Sequence, residues 1–145
     1  MRQGRLLLAD CHLPMLQSVC SLLGPQFAAV IMVADEESLL DTIERLDPDL
    51  VIVDLSMPVA EGSNIVQQLK QRYPDLRVLV LSVHDEPTVV RLILDAGVSG
   101  FVLKRTAATD LLPAVEAVLR GGSYVSPALS KGVPARGDEV KTSEL

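Results

Sequence analysis

The sequence predicts a doubly wound α/β domain built on a parallel sheet. Three observations predict it. Short apolar runs without strict alternation recur along the chain, as in strands buried on both faces. Longer amphipathic stretches separate them. Four of the runs also stop against a polar residue able to do chemistry (Asp10, Asp54, Ser82 and Lys104), at the carboxyl edge where open α/β sheets hold ligands.

The elements follow in order. The first run, 5–9, ends against Asp10, and a helix is expected over 14–23, opened by Pro14 and closed at Gly24-Pro25. Cys20 falls inside its apolar pattern and reads as core. The second run covers 28–33. The second helix, 36–46, carries Leu39, Leu40, Ile43 and Leu46 at helical spacing and stops before Asp47-Pro48. The third run, 50–53, ends on Asp54, followed by the loop Leu55-Ser56-Met57-Pro58 and Glu61-Gly62. A third helix over 63–72 stops before Tyr73-Pro74. The fourth run, 77–81, leads to Ser82, and its helix, 87–96, stops at Gly97. The fifth run, 100–103, meets Lys104. Its helix, 107–120, carries Leu111, Leu112, Val115, Val118 and Leu119 and stops at Gly121-Gly122.

Five strand–helix units imply a five-stranded sheet. The flavodoxin-like order 2-1-3-4-5 puts strands one and three together at the switch point, where Asp10 and Asp54 meet. This unit spans 1–122. Residues 123–145 hold Pro127, Gly132, Pro134 and Gly137 among scattered charges, without apolar periodicity. They read as a linker or tail towards a further domain.

Composition narrows the function. A chain of 145 residues with 48% apolar content fits one domain with a proper core. Aromatics are 3%, with no Trp, which leaves little for stacking on bases. A net charge of -6 argues against a broad nucleic-acid footprint within this chain. No stretch approaches the ~20 apolar residues of a membrane span, and the apolar run after Arg5 is too short for a signal peptide. A cytoplasmic setting is expected, with Cys11 and Cys20 reduced.

Asp54 is the candidate nucleophile, since a carboxylate attacking phosphorus forms an acyl phosphate. The plainer reading is a turn or helix-capping aspartate. Asp10 and Asp54, with the Ser56 backbone carbonyl, offer the hard oxygens that suit Mg²⁺. Asp10 can equally cap the first helix. Ser82 can hydrogen-bond a phosphoryl oxygen, or simply form a serine turn before Asp85-Glu86-Pro87. Lys104 can pair with Asp54 or a phosphate; alone it would read as a solvated lysine beside Arg105. Phe101 reads as core or as an aromatic switch, and the sequence does not separate the two.

These residues, as Leu-Leu-Leu-Ala-Asp10, Val-Asp54-Leu-Ser-Met-Pro58, Gly62, Leu-Ser82 and Phe101-Val-Leu-Lys104, resemble the receiver domain of two-component response regulators over about 5–122. The strings Ser-Gly100-Phe-Val-Leu-Lys104 and Gly121-Gly-Ser-Tyr-Val-Ser126 look like the NarL/FixJ (LuxR-type) branch. There, a receiver is joined to a helix-turn-helix DNA-binding domain, so the chain reads as truncated near the linker. The resemblance implies a signalling domain rather than an enzyme, with at most Mg²⁺-assisted self-phosphorylation and dephosphorylation. It implies a histidine kinase as donor, Asp54 as phosphoacceptor, and Lys104 and Ser82 as phosphate contacts. It further implies a homodimer, and contact with DNA only through the further domain.

One position departs from the resemblance. The family has two adjacent acids after strand one, and here they are Asp10 and Cys11. A neutral thiol is a poor Mg²⁺ ligand, so weak Mg²⁺ binding is expected. Cys11-His12 can also be read as a transition-metal pair or redox thiol, although two adjacent residues are too few for a zinc site. The plainer reading is an inert cysteine at the pocket rim. Two other functions compete: a pseudo-receiver that dimerises or docks without phosphorylation, which Cys11 favours, and a flavodoxin-like cofactor binder, against which stands the absence of a Gly-rich phosphate loop.

Overall fold

A computed structural model describes residues 4–10, 12–24, 27, 29–60 and 64–130. Cys11, Glu61, Gly62 and the expected start of strand two at Ala28 lie outside the described residues.

The expected elements form within one or two residues of their predicted ends. Strand β1 (Arg5–Ala9) leads to α1 (Leu13–Leu23), which has a proline in its first turn. Next come β2 (Ala29–Val33) and α2 (Glu36–Leu46). Asp35 caps α2 by accepting a hydrogen bond from the Ser38 amide at 2.7 Å. Asp47 ends it at φ 51°, a left-handed conformation that an Asp tolerates. β3 (Leu50–Asp54) is buried throughout. α3 spans Ile65–Arg72, its first turn fixed by the Asn64 side chain, which accepts from the Gln67 amide at 2.8 Å; the expected start at 63 lies outside the described residues. β4 (Val78–Ser82), α4 (Pro87–Asp95) and β5 (Gly100–Leu103) follow. A single 3-10 turn, Lys104–Thr106, leads into α5 (Ala107–Leu119). α5 continues through Pro113, at the loss of one backbone hydrogen bond.

The sheet corrects one expectation. Among the described residues it has six strands, not five, in the order β2-β1-β3-β4-β5-β6. The extra strand, β6 (Tyr124–Val125), pairs in parallel with Gly100 and Phe101, and α6 (Pro127–Ser130) follows it. Both lie in the segment read as linker. Two residues are too few to display a period, and Ser, Gly and Pro around them look like loop chemistry. Side chains from that segment are nevertheless buried: Ser126 is 0% exposed and Leu129 2%.

Two apolar layers enclose the sheet. Leu6, Leu8, Ile52, Leu79 and Val102 pack against Val19 and Leu23 of α1 and Leu111, Val115 and Val118 of α5. Leu7, Val51, Val80, Phe101 and Leu103 pack against α2, α3 and α4. Gly100 allows close strand contact, since a Cβ there would lie 3.1 Å from Leu79 Cγ. The register aligns Ala9 with Val53 and Ser82 with Leu103. The carboxyl ends of β1, β3, β4 and β5 therefore open onto one crevice, beside the switch point.

Candidate functional site

The residues that end the central strands gather in this crevice. Asp10 is 0% exposed and Asp54 1%, burial that carboxylates tolerate only with charged or hydrogen-bonding partners. Lys104 supplies the charge. It follows β5 directly, and its Nζ lies 2.9 Å from Asp10 Oδ2 and 3.2 Å from Asp54 Oδ2. Burial works against the ammonium. Its contact with Asp10 and the negative charges of Asp54 and Asp10 outweigh that, so its pKa lies above the ordinary lysine value. Among the described residues, Asp10 Oδ2 has this ammonium as its polar partner and accepts no hydrogen bond besides.

The loops behind the strands hold the other oxygens. The Ser56 amide donates to Asp54 Oδ1 at 3.1 Å, and its hydroxyl reaches Oδ1 at 2.9 Å and Oδ2 at 3.0 Å. The His12 amide donates to Asp10 Oδ1 at 2.8 Å, closing a short turn. That turn carries the His12 ring back over the crevice, with Nδ1 3.1 Å from Asp10 Oδ1 and 3.8 Å from Asp54 Oδ2. One ligand atom each from Asp10, His12 and Asp54 lies within 4.8 Å of the others, a cluster able to hold a metal ion.

Ser82 and Phe101 are placed differently. Ser82 is buried, but its hydroxyl donates to the His84 carbonyl at 3.2 Å and accepts from the His84 amide at 2.8 Å. It thus forms the serine turn that the sequence also allowed. Phe101 is 0% exposed and packed in the core. Ser56, expected to offer its backbone carbonyl to a cation, also meets Asp54 through its amide and hydroxyl. His12 was set aside with Cys11, although its position two residues past a strand-end aspartate is the spacing at which Asx turns fold back.

The parallel sheet thus holds two buried carboxylates and a lysine beside its switch point, where open α/β domains bind ligands. Residues 6–116 match the family described as response regulator receiver domain, and the chain belongs to that family. Among curated relatives it is 35% identical over 127 residues to the transcriptional regulatory protein DegU of Brevibacillus brevis, covering 83% of this chain and 54% of that protein. It is 31% identical over 100 residues to the transcriptional regulatory protein RcsB of Escherichia coli strain K12, covering 67% of this chain and 46% of that one. The chain thus spans about half the length of these relatives, which are NarL/FixJ-type regulators. Among solved structures, the isolated receiver domain of RcsB from Salmonella enterica serovar Typhimurium, in the presence of phosphomimetic BeF3-, superposes with a TM-score of 0.83 at 26% identity, covering 91% of this chain and 99% of that one. A LuxR-family response regulator from Aurantimonas sp. SI85-9A1 gives 0.81 at 26% identity, covering 90% and 95%. No helix among the described residues is long and apolar enough to cross a membrane.

Proposed function

We propose that Asp54 is the phosphoacceptor of a transcriptional response regulator, charged by a histidine kinase in the cytoplasm. The observation that carries this reading is the Lys104 ammonium spanning Asp10 and Asp54 at 2.9 and 3.2 Å. Ser56 touches both Asp54 oxygens, while Oδ2 alone of the two faces the Lys104 ammonium and the His12 ring, at 3.2 and 3.8 Å, and is the attacking oxygen. Oδ2 forms a bond to the phosphorus of a phosphohistidine while the phosphorus–nitrogen bond breaks and its electron pair returns to the imidazole. The product is an acyl phosphate on Asp54. Lys104 then pairs with the new phosphoryl oxygens.

The donor set suits a divalent cation, because two buried carboxylates face one ammonium and leave an excess of negative charge. Asp10, Asp54 and the Ser56 carbonyl would hold it. When bound, such an ion supplies positive charge to the transferring group. Cys11 contributes no carboxylate, so Mg²⁺ binding is weak, and Cys11→Asp is expected to strengthen it and to speed phosphorylation.

Output follows from a change at Ser82. To reach a phosphoryl oxygen its hydroxyl leaves the His84 turn, and that rearrangement is transmitted through β5 and the buried Phe101 to the face of α4, β5 and α5. α4 displays Leu92, 62% exposed, on its surface. The face serves a homodimer, and residues 123–145 lead towards a DNA-binding domain that acts on DNA for the whole regulator. Intact mass after incubation with a small-molecule phosphodonor, with and without Mg²⁺, tests the acceptor. One added phosphoryl group, lost in Asp54→Asn, is expected. No gain under conditions that phosphorylate an authentic receiver would overturn the reading.

A further inference from the structure

We propose that His12 turns this crevice into a site for a nitrogen-accepting divalent transition ion of the cobalt, nickel and zinc class, in preference to magnesium. The inference rests on reading the crevice as a cation site and adds which ions it favours. His12 Nδ1 lies 3.1 Å from Asp10 Oδ1 and 3.8 Å from Asp54 Oδ2. Donors bound side by side at about 2.1 Å from one ion lie roughly 3.0 to 3.4 Å apart, a spacing that the Asp10 contact at 3.1 Å already meets and that the Asp54 contact at 3.8 Å reaches by a small inward shift.

The ring is held there by backbone geometry. The turn closed by the His12 amide on Asp10 Oδ1 fixes residue 12 relative to residue 10, so ordering the imidazole on an ion costs little further freedom. Its side chain is 63% exposed, which leaves room for water to fill the remaining coordination positions. Asp10 is fully buried, and among the described residues Oδ2 faces the Lys104 ammonium alone. Lys104 offsets one of the two carboxylate charges, so the pocket retains about one net negative charge for a dication. In binding, the Nδ1 lone pair takes the place of the Asp10–His12 hydrogen bond, and the ring proton resides on Nε2.

Chemistry then separates the ions. Mg²⁺ takes hard oxygen donors and gains little from imidazole, whereas borderline ions bind nitrogen well. An uncharged nitrogen donor therefore strengthens binding of Co²⁺ far more than of Mg²⁺.

The test is calorimetric titration of the whole chain with Co²⁺ and, separately, Mg²⁺, without phosphodonor, alongside the visible absorption of bound Co²⁺. His12→Ala is expected to weaken Co²⁺ by about tenfold or more and Mg²⁺ by less than about twofold. His12→Asp should strengthen Mg²⁺ and narrow the ratio between the ions. The sequence contains two histidines, so His84→Ala is a complete control for adventitious imidazole and should leave both affinities unchanged. Equal loss of both ions in His12→Ala overturns the proposal. So does a Co²⁺ affinity that survives it, whether held by the carboxylates or by the Cys11 thiol. A chain that takes no phosphoryl group yet binds Co²⁺ through His12 upholds this inference while defeating the phosphoacceptor reading; the reverse pattern does the opposite.

Discussion

Ser126 and Asp110, sixteen residues apart and both buried, share a 2.7 Å hydrogen bond in which the serine hydroxyl donates to Oδ2. The same hydroxyl accepts the Leu103 amide at 3.0 Å. Thr106 donates to Asp110 Oδ2 at 2.6 Å, and the Tyr124 hydroxyl to Oδ1 at 3.3 Å. One carboxylate thus ties the residue before Lys104, the start of α5 and the chain beyond α5 into a single network.

Ser126→Ala strands the Leu103 amide and removes one donor from a buried carboxylate. Leaving a buried amide unpaired costs on the order of 1–3 kcal/mol. Urea denaturation is expected to show a loss of about 2 kcal/mol, with faster amide exchange at Leu103. A loss below about 0.5 kcal/mol would mean that water replaces the hydroxyl.

Alkaline pH should weaken the fold through Lys104. Burial lowers its affinity for a proton, but Asp10 and Asp54 more than restore it, so its folded pKa stands above the reference 10.5. The folded state therefore holds this proton more tightly than the unfolded state. That stability is fully present below pH 10.5 and is lost as pH rises through the elevated folded pKa. Tyr124 shifts the same way, through burial first and then the charge and hydrogen bond of Asp110. Urea midpoints between pH 9 and about 11.5 should fall in the wild type and fall less steeply in Lys104→Met. Parallel slopes in the two proteins would remove Lys104 from the account.

Asp54→Asn should stabilise the protein while abolishing phosphorylation. The wild type places two buried carboxylates around one ammonium, a like-charge arrangement that the amide relieves, and the amide oxygen can still accept from Ser56. An increase on the order of 1 kcal/mol in urea unfolding is expected. A destabilised Asp54→Asn would show that the ion pair outweighs the repulsion.

The sheet and its helices were legible because fully buried parallel strands write continuous apolar runs, as at Leu50–Asp54, and because Pro14, Pro87 and Gly97 punctuate the helices. The meeting of Asp10, Asp54 and Lys104 was legible because position at a strand's carboxyl end follows from topology alone. What stayed hidden depends on rotamers and long-range pairing. Ser82 sits at the right strand end but spends its hydroxyl on His84, and His12 enters the crevice through a turn whose closure no periodicity records. The pairing of β6 was hidden too, since its two residues acquire meaning only beside Gly100 and Phe101.

That last strand carries the folded unit past Gly122. A chain stopped at Gly122 keeps every element through α5 but loses the strand that covers the edge of β5, the Ser126 hydroxyl on Leu103 and the buried Leu129. Burial of one leucine alone is worth about 1.5–3 kcal/mol, and the stranded amide adds to it. A chain stopped at Ser130 keeps all of these contacts. Compared by thermal and urea unfolding, the Gly122 form should be weaker by about 3 kcal/mol or more, while the Ser130 form should match the full 145 residues within about 0.5 kcal/mol. An exposed β5 edge should also make the shorter form prone to association, visible by light scattering. Equal stability of the two would place the end of the cooperative unit at α5 and make β6 a loosely held start of the connection beyond.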